Sequence, residues 1–122
     1  MDLHESGEMY LETILILKNK NQFVRSIDVA NTMNFSKPSV SRAMKILKES
    51  GLITIDAKGY IEFTEEGRVK AENIYNRHVA FTRFLISIGV SEQQAEEDAC
   101  RIEHIISDET YECIKEYLLK QS

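Results

Sequence analysis

The stretch from Ser26 to Thr64 constrains this chain most, because "SIDVANTMN", "SKPSVSRAMKILKESG" and "LITIDAKGYIEFT" follow one another with almost nothing between them. The first reads as a short helix with Ile27, Val29, Ala30 and Met33 inward, capped by Ser26 and stopping at Asn34. The second restarts almost at once. Ser36 is a good N-cap, Pro38 fits the first turn, where a missing N–H costs nothing, and Gly51 suits the C-terminal cap. The third alternates apolar and polar residues around a turn containing Asp56, Lys58 and Gly59, the pattern of a β-hairpin. Two short helices joined at "NFS" and followed by a hairpin give the order of a winged helix-turn-helix, whose second helix enters the major groove.

On that second helix Val40, Ala43, Met44 and Leu47 share an apolar side, which leaves Lys37, Ser39, Ser41, Arg42, Lys45 and Lys48 outward or flanking. Pro38, Ser39 and Arg42 lie near its N-terminal part, where base edges are usually met; Lys45 and Lys48 are better placed for phosphates, as is Lys58 at the hairpin tip. The net charge of −5 argues against a general polyanion binder, yet Ser36 to Lys48 holds four basic residues and no acidic one. The plainer alternative is a bundle helix with lysines outside and a polar turn residue at Lys58. The turn and hairpin together favour DNA.

Around this module the chain reads as helix. "ESGEMYLETILILKNK" carries Met9, Leu11, Ile14, Leu15 and Leu17 on a helical period, with Ser6 as a candidate N-cap. After the hairpin, helices are expected over Glu65–Ile88, Ser91–Ile106 and Asp108 to about Leu119, broken at Gly89 and at Ser107–Asp108. The fold class is therefore mainly α with a small β-hairpin, with residues 1–64 as the DNA-binding domain and 65–122 as a helical region. A chain of 122 residues has limited room for a core, so dimerisation is an expected supplement. No window approaches the roughly 20 apolar residues of a membrane span, no leader is visible, and Cys100 and Cys113 make no disulfide framework. The chain reads as cytoplasmic, with reduced thiols and no membrane partner.

"ACRIEH", Ala99 to His104, places a thiol, a carboxylate and an imidazole within six residues. At about 100° per residue, Glu96, Cys100, Glu103 and His104 fall within roughly 80° of one another on a helix wheel. Ala95, Ala99, Ile102, Ile105 and Ile106 take the other side. Four such donors suit a divalent cation if neighbouring helices complete the shell, and Met9, Glu12 and His78 are the sensible partners. A thioether and a thiolate beside carboxylates and imidazoles suit a late first-row ion better than Mg²⁺ or Ca²⁺: Fe²⁺ fits, as do Co²⁺, Ni²⁺ or Zn²⁺ in a test tube. The alternative is plain packing, with Met9 in the core, Glu12 and Glu96 solvated and Cys100 a small buried hydrophobe. His4 and Cys113 have no partners that the sequence suggests.

"EMYLETILIL", "SKPSVSRAMKILKESGLI", "TEEGR" and "EDACRIEHIISDE" together resemble, in order and spacing over nearly the whole chain, the diphtheria-toxin-repressor family of iron- and manganese-dependent transcriptional regulators. The resemblance implies a homodimer whose helices beyond the wing form the metal sites and the dimer interface, and which binds a palindromic operator when metal is present. Met9, Cys100, Glu103 and His104 match the family's activating site in its iron-responsive members. Manganese-responsive members carry a carboxylate where this chain has Met9 and Cys100, so the resemblance favours Fe²⁺, with Mn²⁺ as the alternative.

Glu12 and His78 match a second site of the manganese type, whereas iron-type members have an acidic residue at the position of Thr82 and a histidine at that of Glu96. The second site is then a hybrid of Glu12, His78, Glu96 and Glu103, or is empty. Ser36, Pro38 and Ser39 agree with the family; Arg42 stands where a glutamine occurs in a well-known iron-type member, which favours guanine if it reaches a base edge. The chain ends soon after the third helix of the dimerisation region, so the C-terminal SH3-like domain of iron-type members is expected to be absent.

The implied mechanism is a repressor in which Fe²⁺ ties the first helix to the second of the C-terminal helices and sets the DNA-binding heads at the spacing of two half-sites. A rival is a winged-helix regulator sensing a small organic ligand or oxidation of Cys100. A small metalloenzyme is a third reading, and the sequence shows no HExxH, no nucleophile and base pair, and no organic substrate site.

Overall fold

The computed structural model describes residues 5–121. His4, singled out above, lies outside them. The elements run in the expected order: α1 (Glu5–Lys20), α2 (Ser26–Met33), α3 (Lys37–Glu49), β1 (Ile53–Ile55), β2 (Ile61–Phe63), α4 (Glu65–Ser87), α5 (Glu92–Ile102) and α6 (Asp108–Gln121). The chain divides into two compact units, residues up to Glu72 and residues from Asn73 onward, with the boundary inside α4. No helix among the described residues is long and apolar enough to cross a membrane.

In the first unit Leu11, Ile14, Val29, Val40, Met44 and Leu47 bring one face each of α1, α2 and α3 into a shared core. The tight connection between α2 and α3 is made by Asn34, whose left-handed backbone (φ 58°) closes α2, and by Ser36, whose Oγ accepts from the Ser39 N–H at 3.3 Å. Asparagine tolerates that conformation better than most residues. After α3, Gly51 turns the chain at φ 77° into the antiparallel pair β1–β2, in register Ile53↔Phe63, Thr54↔Glu62 and Ile55↔Ile61. Ile61 also donates its N–H to Val24 O at 2.8 Å, so the segment before α2 adds a backbone bond to the base of the wing.

Gly67 in the first turns of α4 has a different reason to be glycine. A Cβ there would stand 1.8 Å from Leu52 O, so the "TEEGR" glycine lets α4 lie directly on the backbone entering β1. Thr64 completes this junction, donating from Oγ1 to Gly51 O at 2.7 Å and accepting the Gly67 N–H at 3.0 Å.

In the second unit Ala80 and Phe81 of α4 and Ala95 and Ala99 of α5 are buried. Phe81 meets Tyr111, and Phe84 meets Tyr117, so aromatic contacts join α4 to α6.

Several local expectations need correcting. The helix drawn over Ser91–Ile106 stops at Ile102: the chain tightens into a short turn with Ile105 N–H on Ile102 O, and Ser107 then starts the next helix by accepting the Thr110 N–H. Ile105 consequently points outward, 77% exposed, instead of joining the apolar side. Ser26 is the first helical residue of α2 and not its cap. Arg25 takes the N-cap position, and its backbone N–H is bonded by the Asp28 carboxylate at 2.9 Å. Ile27 beside it is exposed. Ser6 lies inside α1 and does not cap it.

Candidate functional site

The second unit assembles two imidazoles around one carboxylate. Glu103, just after α5, has a fully buried side chain; its Oε2 lies 2.8 Å from Nδ1 of His78 on α4, and its Oε1 lies 3.3 Å from Nε2 of His104, whose side chain is also buried. Burying an ionised carboxylate costs several kcal/mol unless it is paired and hydrogen-bonded. Here one oxygen is satisfied by His78. Oε1 is buried and accepts no hydrogen bond, because the approach of His104 misses hydrogen-bond geometry. A buried carboxylate oxygen in that state is one that a cation would satisfy. A neutral imidazole that donates from Nδ1 carries its lone pair on Nε2, so His78 can hold Glu103 and still be a ligand. The donor set therefore fits a divalent metal.

The structure links the two expected sets through Glu103, which the sequence placed in both. His104 belongs to the expected primary set and His78 to the expected second set, and Glu103 stands between them. Cys100, one turn earlier on α5, is half-buried and forms no disulfide. Glu96 is exposed and joins no donor cluster among the described residues. In the first unit α1 carries Met9, half-buried, and Glu12, buried, with Thr13 Oγ1 donating to Met9 O at 2.9 Å.

The other candidate surface lies on the first unit. Val40, Met44 and Leu47 bury one side of α3, and Lys37, Pro38, Ser41, Arg42, Lys45 and Lys48 are all exposed on the remainder. Ser36 Oγ donates to Ser39 Oγ at 2.8 Å, and Arg42 Nη2 reaches Ser39 Oγ at 3.5 Å, so the N-terminal turn presents an ordered polar edge. Lys58 sits exposed at the wing tip, in a turn whose amides at Lys58 and Tyr60 both donate to Asp56 Oδ1 at 2.9 Å.

Sequence reasoning missed the residues that surround this surface. Ser26 and Ile27 line a concavity of about 130 Å³ with Lys37 and Ser41. The Arg25 guanidinium lies 4.8 Å from the centre of the Tyr60 ring, which stacks on Phe23. Lys18, only 12% exposed, reaches from α1 to Ile61 O at 3.2 Å and Glu62 Oε2 at 2.9 Å. No local pattern announces these contacts, since each joins residues far apart in sequence.

A winged helix-turn-helix followed by helices that enclose metal-type donors defines a class, the metal-dependent DNA-binding regulators. Residues 2–61 match the family described as iron dependent repressor, N-terminal DNA binding domain, and residues 64–121 match its metal binding and dimerisation domain. The chain belongs to the iron-dependent-repressor family of metal-dependent transcriptional repressors.

It is 32% identical to an uncharacterised HTH-type transcriptional regulator of Methanocaldococcus jannaschii, covering 97% of this chain and 96% of that one. Against the diphtheria toxin repressor of Corynebacterium efficiens it is 31% identical, over 96% of this chain and 51% of the relative. Among solved structures, the manganese regulator SloR is similar with a TM-score of 0.81 at 26% identity, over 97% of this chain and 54% of that one. The chain thus spans about half the length of the last two.

Proposed function

We propose that this protein is an Fe²⁺-activated repressor that binds a palindromic operator as a homodimer in the cytoplasm and controls metal homeostasis, with no enzymatic step. The observation that carries the reading is the buried Glu103 carboxylate between His78 and His104, in a chain whose other half presents a basic recognition helix. Cys100, Glu103 and His104 would hold the cation together with Met9. His78 and Glu12 would supply the hybrid second site, in which Glu103 is shared; Glu96, being exposed, is the weakest member of that set. The bound cation supplies positive charge at a carboxylate that has no solvent to share it.

The preference for iron rests on Met9 and Cys100, soft donors that Mn²⁺ uses poorly. Mn²⁺ is the alternative, and Co²⁺, Ni²⁺ or Zn²⁺ would bind in vitro. Since Met9 and Glu12 belong to the DNA-binding half of the sequence, a cation shared with Cys100 and Glu103 couples metal occupancy to operator affinity. On the DNA, Ser36, Pro38, Ser39 and Arg42 face base edges, Arg42 favouring guanine, and Lys37, Ser41, Lys45, Lys48 and Lys58 meet the backbone.

The test is anaerobic fluorescence anisotropy on DNA selected by the protein from a random library, with Fe²⁺, Mn²⁺ or chelator, for wild type and Cys100→Asp. Fe²⁺ is expected to tighten wild-type binding at least about tenfold, within the usual range of allosteric coupling, and Cys100→Asp to move the response toward Mn²⁺. Operator affinity that ignores metal contradicts the proposal.

A further inference from the structure

We propose that Arg77 is a positioning residue that fixes Glu103 and His104 for metal binding, an inference that rests on the metal centre proposed above. Glu103 and His104 lie where α5 gives way to the turn before α6: Glu103 is the C-cap of α5, which ends at Ile102, and His104 follows it, with α6 beginning at Asp108. The front of that turn is secured by the Glu103 N–H on Ala99 O at 3.0 Å.

Its far end is secured by Arg77. Nη1 donates to Ile106 O at 2.9 Å, Nη2 pairs with the Asp108 carboxylate, and the guanidinium lies 5.1 Å from the centre of the Tyr111 ring. The side chain is 17% exposed.

Arg77 directly precedes His78 on α4. One helix therefore presents a ligand of the cluster and, from the residue before it, pins the backbone that follows the other two. This also gives a role to the "SDE" that ends the motif "EDACRIEHIISDE": Ser107 caps α6 and Asp108 receives the guanidinium. Asp108 is 91% exposed, so its ion pair contributes little by itself. The carbonyl bond and the aromatic face carry the contact, and a planar fork that meets two acceptors at once is something lysine cannot supply. Metal affinity is sensitive to such support because ligands must be held to within a fraction of an ångström.

The experiment is an anaerobic Co²⁺ titration of the full chain followed by visible absorption, alongside thermal unfolding in chelator. Arg77→Met is expected to weaken Co²⁺ binding about tenfold and to alter the visible bands, while the metal-free protein melts within a few degrees of wild type. Arg77→Lys, which keeps the charge and loses the fork, is expected to lose nearly as much. Wild-type affinity and spectrum in Arg77→Met, or full rescue by Arg77→Lys, would overturn the proposal. If Arg77→Met does not fold, Arg77→Lys decides: weakened Co²⁺ binding with a shifted spectrum supports the assignment, and wild-type affinity and spectrum overturn it. Wild-type protein that takes up no Co²⁺ removes the metal centre itself, a result distinct from normal wild-type binding that the variants leave untouched.

Discussion

Glu103 concentrates the chemistry of the second unit, because its carboxylate is buried between two imidazoles with one oxygen accepting no hydrogen bond. Glu103→Gln keeps the shape and removes the charge. It is expected to weaken Co²⁺ or Mn²⁺ binding by about 100-fold, at the upper end of what altering a metal's surroundings does, without destabilising the metal-free protein, since a buried carboxylate is itself costly. Calorimetric titration and urea unfolding in chelator measure the two halves, and unaltered metal affinity would contradict the assignment. The residue types of this site were legible in "ACRIEH" because few chains place those three donors so close. Their geometry was not: a helix wheel carried through Ile106 assumes a helix that in fact ends at Ile102, with Ser107 capping the next one. The role of Arg77 was hidden for another reason, since its acceptors lie about thirty residues away and one of them is a backbone carbonyl.

At the scale of elements, the recognition helix and the wing are held by different means. The start of α3 depends on Ser36, and Ser36→Ala should cost about 1 kcal/mol in urea unfolding; no loss would mean that Pro38 alone sets the helix start. The wing depends on Lys18, which bonds Ile61 O and Glu62 from α1. Lys18→Met is expected to cost about 1–2 kcal/mol and to speed amide exchange at Ile61 and Phe63 more than in α3; equal exchange in both would show that the Val24 bond suffices. Where α4 crosses Leu52, Gly67→Ala must move backbone and should destabilise by about 3 kcal/mol, the upper end for overpacking. Capping and alternation made the second helix and the hairpin readable, since both signals are local. The cap of α2 was misread because Asp28, three residues inside the N-cap, satisfies the Arg25 amide, and Ser26 shows the usual cap residue type at the wrong position.

For the molecule as a whole, a net charge of −5 coexists with a basic recognition helix, so DNA binding should be local and salt-sensitive. Lys45→Ala is expected to lower affinity evenly across sequences and reduce the slope of log K against log salt by about 1, whereas Arg42→Gln should alter sequence preference at one base pair. A changed preference in Lys45→Ala would reverse those roles. If metal and operator bind through one coupled equilibrium, as proposed above, the coupling between the two ligands must be reciprocal. The most direct measurement is the anaerobic Fe²⁺ affinity of the full chain with and without its selected operator. DNA is expected to tighten Fe²⁺ binding by the same factor, at least about tenfold, by which Fe²⁺ tightens DNA binding. Equal Fe²⁺ affinities in the two conditions would contradict it.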